Sequence, residues 1–295
     1  DPTEWPPELP HGENPMPGGI IDYYLPHDVQ GPVTLEILDD GGAVIRSLSS
    51  DDPRLEPDPA LDPEGYDRIC QQDPEAPNCR QPLYWPAPQM LLSTQKGMHR
   101  FSWDLHFEPM GEEPRAGGGA TGAVPGRTYP RVESPWAPPG EYTVRLTVSG
   151  QQFTQPLLLR LDPRVTIADE DLALINTLSR EMYDAAMEAG AAYEEARAMV
   201  ERFEAAGNAE AKAQVEALAP PPLTGMAARY RRYLGSSGPP SLRSVGYALM
   251  DAAMAMQAAE VPPTRRMIDA CDAARAQYQE VMVRWSALKE SISGR

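Results

Sequence analysis

At Ile167 the spacing of apolar residues changes from two to three and four, and this change divides the chain into two kinds of structure. Before it, apolar and polar residues alternate in short runs bounded by Gly and Pro. After it, Ile175, Leu178, Met182, Ala185, Ala189, Ala192, Ala196, Met199 and Phe203 recur by threes and fours. Leu242, Val245, Leu249, Ala252, Met256 and Ala259 do the same, as do Met267, Cys271, Ala274, Tyr278, Val281, Trp285, Leu288 and Ile292. Three such stripes predict three amphipathic helices packed at small crossing angles. Thr166, ahead of acids in TIADEDL, is the N-cap candidate of the first. A short helix is expected at 208–218, before a Pro-rich crossover that ends near 240. The expected result over 166–295 is an antiparallel helical bundle of three helices, or four with the short one.

The earlier part, 18–162, reads as strands. GGIIDYYLP is β-branched and aromatic between Gly and Pro. VTLEILDDGGAVIRSLSS reads as a hairpin turning at DDGG. HRFSWDLHF places Phe101, Trp103, Leu105 and Phe107 on one face, and Arg100, Ser102, Asp104 and His106 on the other. GEYTVRLTVSGQQFTQPLLLRLD reads as a hairpin turning at SGQQ, with Leu157, Leu159 and Leu161 behind Tyr142, Val144, Leu146 and Val148. About six such strands predict an antiparallel β-sandwich of immunoglobulin or fibronectin type. Long loop insertions at 50–90 and 108–139 interrupt it, and 1–17 reads as an extended lead-in. The fold class expected is therefore α+β and multidomain: a sandwich, then a helical bundle.

Charge narrows the function classes. Formal net charge is −17, with an isoelectric point near 4.6. A nucleic-acid binder needs a basic footprint, and anionic lipid repels such a chain. No apolar run is long enough to span a bilayer. The chain begins at Asp1 and not at a methionine, which suggests a processed product or part of a longer one.

His11, Glu13, Asn14 and Asp22 fall within HGENPMPGGIIDYYLP, but no nucleophile–base pair, zinc motif, phosphate loop or dinucleotide fingerprint accompanies them. They are expected to make turns that lead into a strand. No catalytic residue, no cofactor and no metal site is expected. His99 and His106, read as seven apart on one strand, face opposite ways and form no metal pair. The acidic run Asp51, Asp52, Glu56, Asp58, Asp62, Glu64 and Asp67 lacks calcium-loop spacing and reads as solvated. Cys70 and Cys79, with eight polar and turn-forming residues between them, are expected to close a disulfide in an oxidising compartment; paired metal thiolates are the alternative. Cys271 reads as a small buried residue.

Contact residues are the remaining candidates. Arg229, Tyr230, Arg231, Arg232 and Tyr233 have the composition of a protein contact surface. Met187, Met250 and Met254 lie off their seams and read as exposed, adaptable contacts. Tyr84, Trp85 and Trp136, near prolines, are the best glycan-contact candidates, whereas Trp103 reads as core.

The order of four phrases carries a family resemblance. HGENPMPGGIIDYYLP, GPVTLEILDDGGAVIRSLSS, KGMHRFSWDLHF and PWAPPGEYTVRLTVSGQQFTQPLLLRLDPRV, followed by a helical tail, resemble the C-terminal region of bacterial secreted sortilin-like (Vps10/BNR-repeat) β-propeller proteins, often labelled glycosyl hydrolases. The resemblance implies an Ig-like domain after a propeller, and export to the periplasm or outside the cell. The propeller and its S-x-D-x-G-x-x-W boxes are absent from this sequence, so no catalytic residue carries over. The function expected is that of a non-catalytic exported accessory or scaffold protein. It would act by protein–protein contact, as an extrinsic subunit of a larger envelope or membrane-associated assembly. The alternative is a carbohydrate-binding accessory module of such a hydrolase.

Overall fold

The computed structural model describes residues 18–52, 63–72, 91–109, 134–222 and 239–293. The chain is a mixed α+β protein with antiparallel sheets, and it divides into two compact units. One comprises Asp1–Val132 and Ala137–Arg160, the other Glu133–Trp136 and Leu161–Arg295.

The first unit holds β1 (Gly19–Leu25), β2 (Val33–Leu38), β3 (Val44–Ser49), α1 (Pro63–Gln72), β4 (Gly97–Trp103), β5 (Gly140–Val148) and β6 (Gln151–Leu159). A two-stranded sheet pairs β1 with β4, and a four-stranded sheet runs β3-β2-β5-β6. β2 is central, and its alternate residues Val33, Leu35 and Ile37 are fully buried. Directly paired residues point to the same side of an antiparallel sheet. Leu35 opposite Leu146, and Ile37 opposite Val144, therefore share one apolar face. Ile21, Tyr23 and Leu25 share a face with Phe101 and Trp103 in the other sheet. Trp103 meets Tyr142 edge-on, with ring centroids 5.9 Å apart.

Three details of this unit differ from the sequence reading. The alternation in HRFSWDLHF stops at Trp103, because Leu105 takes φ 63° and turns the chain. His106 is therefore off the strand and buried, and its carbonyl accepts from Trp103 Nε1 at 3.0 Å. The β5–β6 turn is two residues, Ser149 (φ 49°) and Gly150 (φ 79°), and not SGQQ. Two positive φ values make a type I′ turn, whose twist matches that of the strands it joins. Finally, α1 lies within the segment read as loop 50–90. Pro63 opens it and Glu64 occupies its first turn, both favourable at a helix start.

The second unit holds α2 (Asp169–Ala205), α3 (Ala209–Leu218), α4 (Leu242–Met256) and α5 (Arg265–Ser293). Ser179 lies by Ala253 and Tyr193 by Arg243, so α4 runs antiparallel to α2. Glu181 meets Arg275 and Glu195 meets Lys289, so α5 runs parallel to α2. The alanines Ala189, Ala192 and Ala196 share a core with Trp285, Val215, Leu242 and Val245. Small side chains on α2 leave the volume that the indole on α5 fills.

Thr166 is not the N-cap of α2. Ala168 is, without a side-chain bond, and Asp169, Glu170 and Asp171 supply the favourable charge at that end. α3 does carry a side-chain cap, Asn208 accepting from Ala211 N–H. Ala259, included in the second stripe, lies past the end of α4 and is exposed. Met250 is 3% exposed, which corrects its reading as a surface contact. α4 packs against both α2 and α5, so its buried face is wider than one stripe and takes in Gly246, Met250 and Ala253. Met187 and Met254 are half-buried.

Trp285→Ala should destabilise the protein by about 3–5 kcal/mol, read as a lowered denaturant midpoint, because the indole fills the α2–α5 core. A loss under about 1 kcal/mol would contradict that packing.

Candidate functional site

The strongest surface feature is the β5–β6 hairpin and the cleft beside it. The inner face of the four-stranded sheet is fully buried at β2 and mostly buried at Tyr142 and Val144. At Leu146 and Val148 it is half-covered, and on β6 residues Gln151 to Pro156 are all exposed. Phe153 is 55% exposed and Leu158 51%. A cleft of about 510 Å³ opens there, between β1 and the inner face of β5 and β6. Its walls include Ile21, Leu35, Leu146, Phe153 and Leu157, with Asp22, His27, Gln151 and Gln155 among the polar groups. That volume and a mostly apolar lining with a few polar groups are those of a small-ligand or peptide pocket.

On β6 there is no charge, and Asp22, which lines the cleft, is paired. Residues 146–159 carry no charged side chain, in a chain of net charge −17. Arg145, opposite Thr154 in the hairpin, donates to Glu36 Oε2 at 2.7 Å, which lowers the carboxyl's pKa. Asp22, the described acid of the opening motif, accepts two bonds from Arg100 at 2.8 Å, and this bonding lowers its pKa. The two face each other in register across β1 and β4, so Asp22 serves as a cross-strand pair. The Tyr23 hydroxyl accepts from Ser93 N–H at 2.7 Å, and burial pushes its pKa up. His99 bonds through Nε2 to the carbonyl of Gln95.

In the second unit the shifted groups are structural. Glu181, Glu188 and Glu195 recur every seven residues on α2 and meet Arg275, Tyr278 and Lys289 of α5. Hydrogen bonding from Arg275 holds the Glu181 carboxyl below its ordinary value. Burial, and then the bond to Glu188, push Tyr278 well above its own. Cys271 is buried, and desolvation raises its thiol pKa, which makes it unreactive. Among the described residues no cluster of His, Cys, Asp and Glu could hold a metal ion, and no helix is long and apolar enough to cross a membrane.

Of the other expected site residues, His11, Glu13, Asn14, Cys79, Tyr84, Trp85 and Arg229, Tyr230, Arg231, Arg232 and Tyr233 lie outside the described residues. Cys70 is on the last turn of α1 and half-buried, in a helix and not in a loop. Trp136 is 48% exposed, and its backbone N–H donates to Gln257 Oε1 at 2.6 Å. The cleft itself was missed by the sequence reading. Its one sequence signal was the uncharged run from 146 to 159.

No family model, no curated protein and no solved structure matches this chain.

Two outcomes follow. Phe153→Ser should change stability by less than about 0.5 kcal/mol, since half the ring is in solvent, yet reduce the fluorescence of an apolar dye bound in the cleft. Unchanged dye fluorescence would mean the cleft is not the dye's site. Separately, the lowered Glu181 pKa stabilises the fold above the ordinary value of 4.5, and this is lost as pH falls below it. Arg275→Ala should cost about 0.5–1 kcal/mol at pH 7 and flatten part of the acid decline in urea midpoints. An unaltered decline would show that the pair does not contribute.

Proposed function

We propose that the chain is a non-catalytic, exported accessory or scaffold protein, an extrinsic subunit of a larger envelope or membrane-associated assembly, acting through protein–protein contact. The observation that carries this is the uncharged, exposed strand β6 with the largely apolar cleft beside it, on an otherwise acidic chain. Apolar side chains held in water along a strand mark an interaction surface. The first unit is read as an Ig-like β-sandwich, supported by Tyr142. Its hydroxyl donates to the carbonyl of Pro138 four residues back, at 2.7 Å, which resembles the tyrosine corner of that fold. The second unit is read as a helical bundle, supported by α4 running against both α2 and α5. Export to the periplasm or cell exterior rests on the resemblance to sortilin-like secreted proteins and on a Cys70–Cys79 disulfide.

The mass of the protein isolated gently from its source tests the subunit reading. It should exceed 32.3 kDa, with a second chain in fixed ratio. A mass of 32.3 kDa alone would overturn it. Thiol titration of the unfolded, unreduced protein tests export, with one reactive thiol of three expected, Cys271. Three reactive thiols would contradict the disulfide. The second reading, a carbohydrate-binding module, is favoured by the exposure of Trp136. Binding on a glycan array that is lost in Trp136→Ala would support it, and a blank array would remove it.

A further inference from the structure

We infer that the outer edge of β6 is a strand-addition site for an extended, uncharged segment of a partner protein flanked by basic residues. The inference rests on the subunit reading above and names the site and the chemistry of the partner.

The backbone phase of β6 follows from its turn. A two-residue turn makes Val148 and Gln151 a hydrogen-bonded pair, and such pairs then alternate along an antiparallel ladder. Phe153, Gln155 and Leu157 therefore bond inward to β5. The N–H groups of Gln152, Thr154 and Leu158, and the carbonyls at 152, 154, 156 and 158, point away from it. Among the described residues β6 pairs with β5 alone. Pro156 falls at an outward position, where its missing N–H breaks no bond within the sheet. It removes one donor from the edge, leaving Gln152 and Thr154 before it and Leu158 after it with both groups outward.

Edge strands in proteins that avoid association are short, charged, covered or interrupted by Pro, and in β6 Pro156 blocks only its own position. β6 has nine residues, carries no charge, and is exposed on both faces from Gln151 to Pro156. Its inner face opens on the cleft, so an added strand finds backbone partners on its edge and an apolar trough for alternate side chains. These are the two requirements of recognition by strand addition. Electrostatics selects the partner. A second copy of this chain also carries −17, and the two would repel. Asp22 lines the trough but is already paired with Arg100, so a charged side chain there would lose hydration without a free counter-ion. The fitting occupant is thus uncharged where it pairs, and the net charge of −17 favours basic residues outside that stretch.

A displayed library of random twelve-residue peptides, selected on the intact protein, tests this. Enriched peptides should alternate apolar residues, lack Asp and Glu centrally, and carry Lys or Arg at their ends. Their affinity should fall roughly tenfold in Phe153→Asp and in Thr154→Pro, the latter removing an outward N–H. Phe153→Ser serves as a milder check, and unchanged circular dichroism shows that each variant is folded. No enrichment, or enriched peptides indifferent to all three changes, would overturn the inference. So would a dimer in sedimentation that Phe153→Asp dissociates, because the edge would then belong to a second copy. If the native assembly is heteromeric and survives Phe153→Asp, this site falls while the subunit reading stands. A native mass of 32.3 kDa removes the subunit reading itself.

Discussion

The burial of Val33, Leu35 and Ile37 on one face of β2 anchors the first unit, because β2 holds the neighbouring strands β3 and β5 on either side of it. Each is fully removed from water, worth roughly 1.5–3 kcal/mol per side chain. A slip of one residue would turn all three outward and bring Thr34 and Glu36 in. Glu36 on the opposite face holds Arg145, so the ion pair fixes the same register that the apolar face demands. This core does not extend across the whole sheet. Cover thins from β2 through β5 to β6, and the cleft is the uncovered remainder.

The second unit obeys the same logic with a different period. A run of alanines on α2 receives Trp285, and the seam beside it is closed by Glu181, Glu188 and Glu195 with their partners on α5. The titratable groups with clear shifts in this unit are accounted for by such pairs or by burial. Their perturbation reflects packing and ion pairing within the helices.

Much of this was legible in the chain. The period-two runs located β1, β2, β3, β5 and β6, and the threes and fours located α2, α4 and α5, because side-chain direction is a local consequence of backbone geometry. Residues 208–218 were correctly expected to be helical. The misses share a different cause. α1 is short and polar, so it leaves no apolar stripe. Met250 looked exposed because one stripe describes a helix with one neighbour, and α4 has two. Leu105 carries no sign in its identity that it will take a positive φ. The exposure of Phe153 and Leu158 depends on which strand ends the sheet, a property of topology that periodicity does not encode. The candidate site lay in that last category, and only the lack of charge between 146 and 159 hinted at it.

The most direct measurement is amide hydrogen exchange over 151–159, compared between the isolated chain and the protein in its native surroundings. The account predicts fast exchange at Gln152 and Thr154 in the isolated chain and strong slowing in the native material, with β2 slow in both. Equal exchange at Gln152 and Thr154 in the two states would contradict the claim that this edge is where the protein makes its contact.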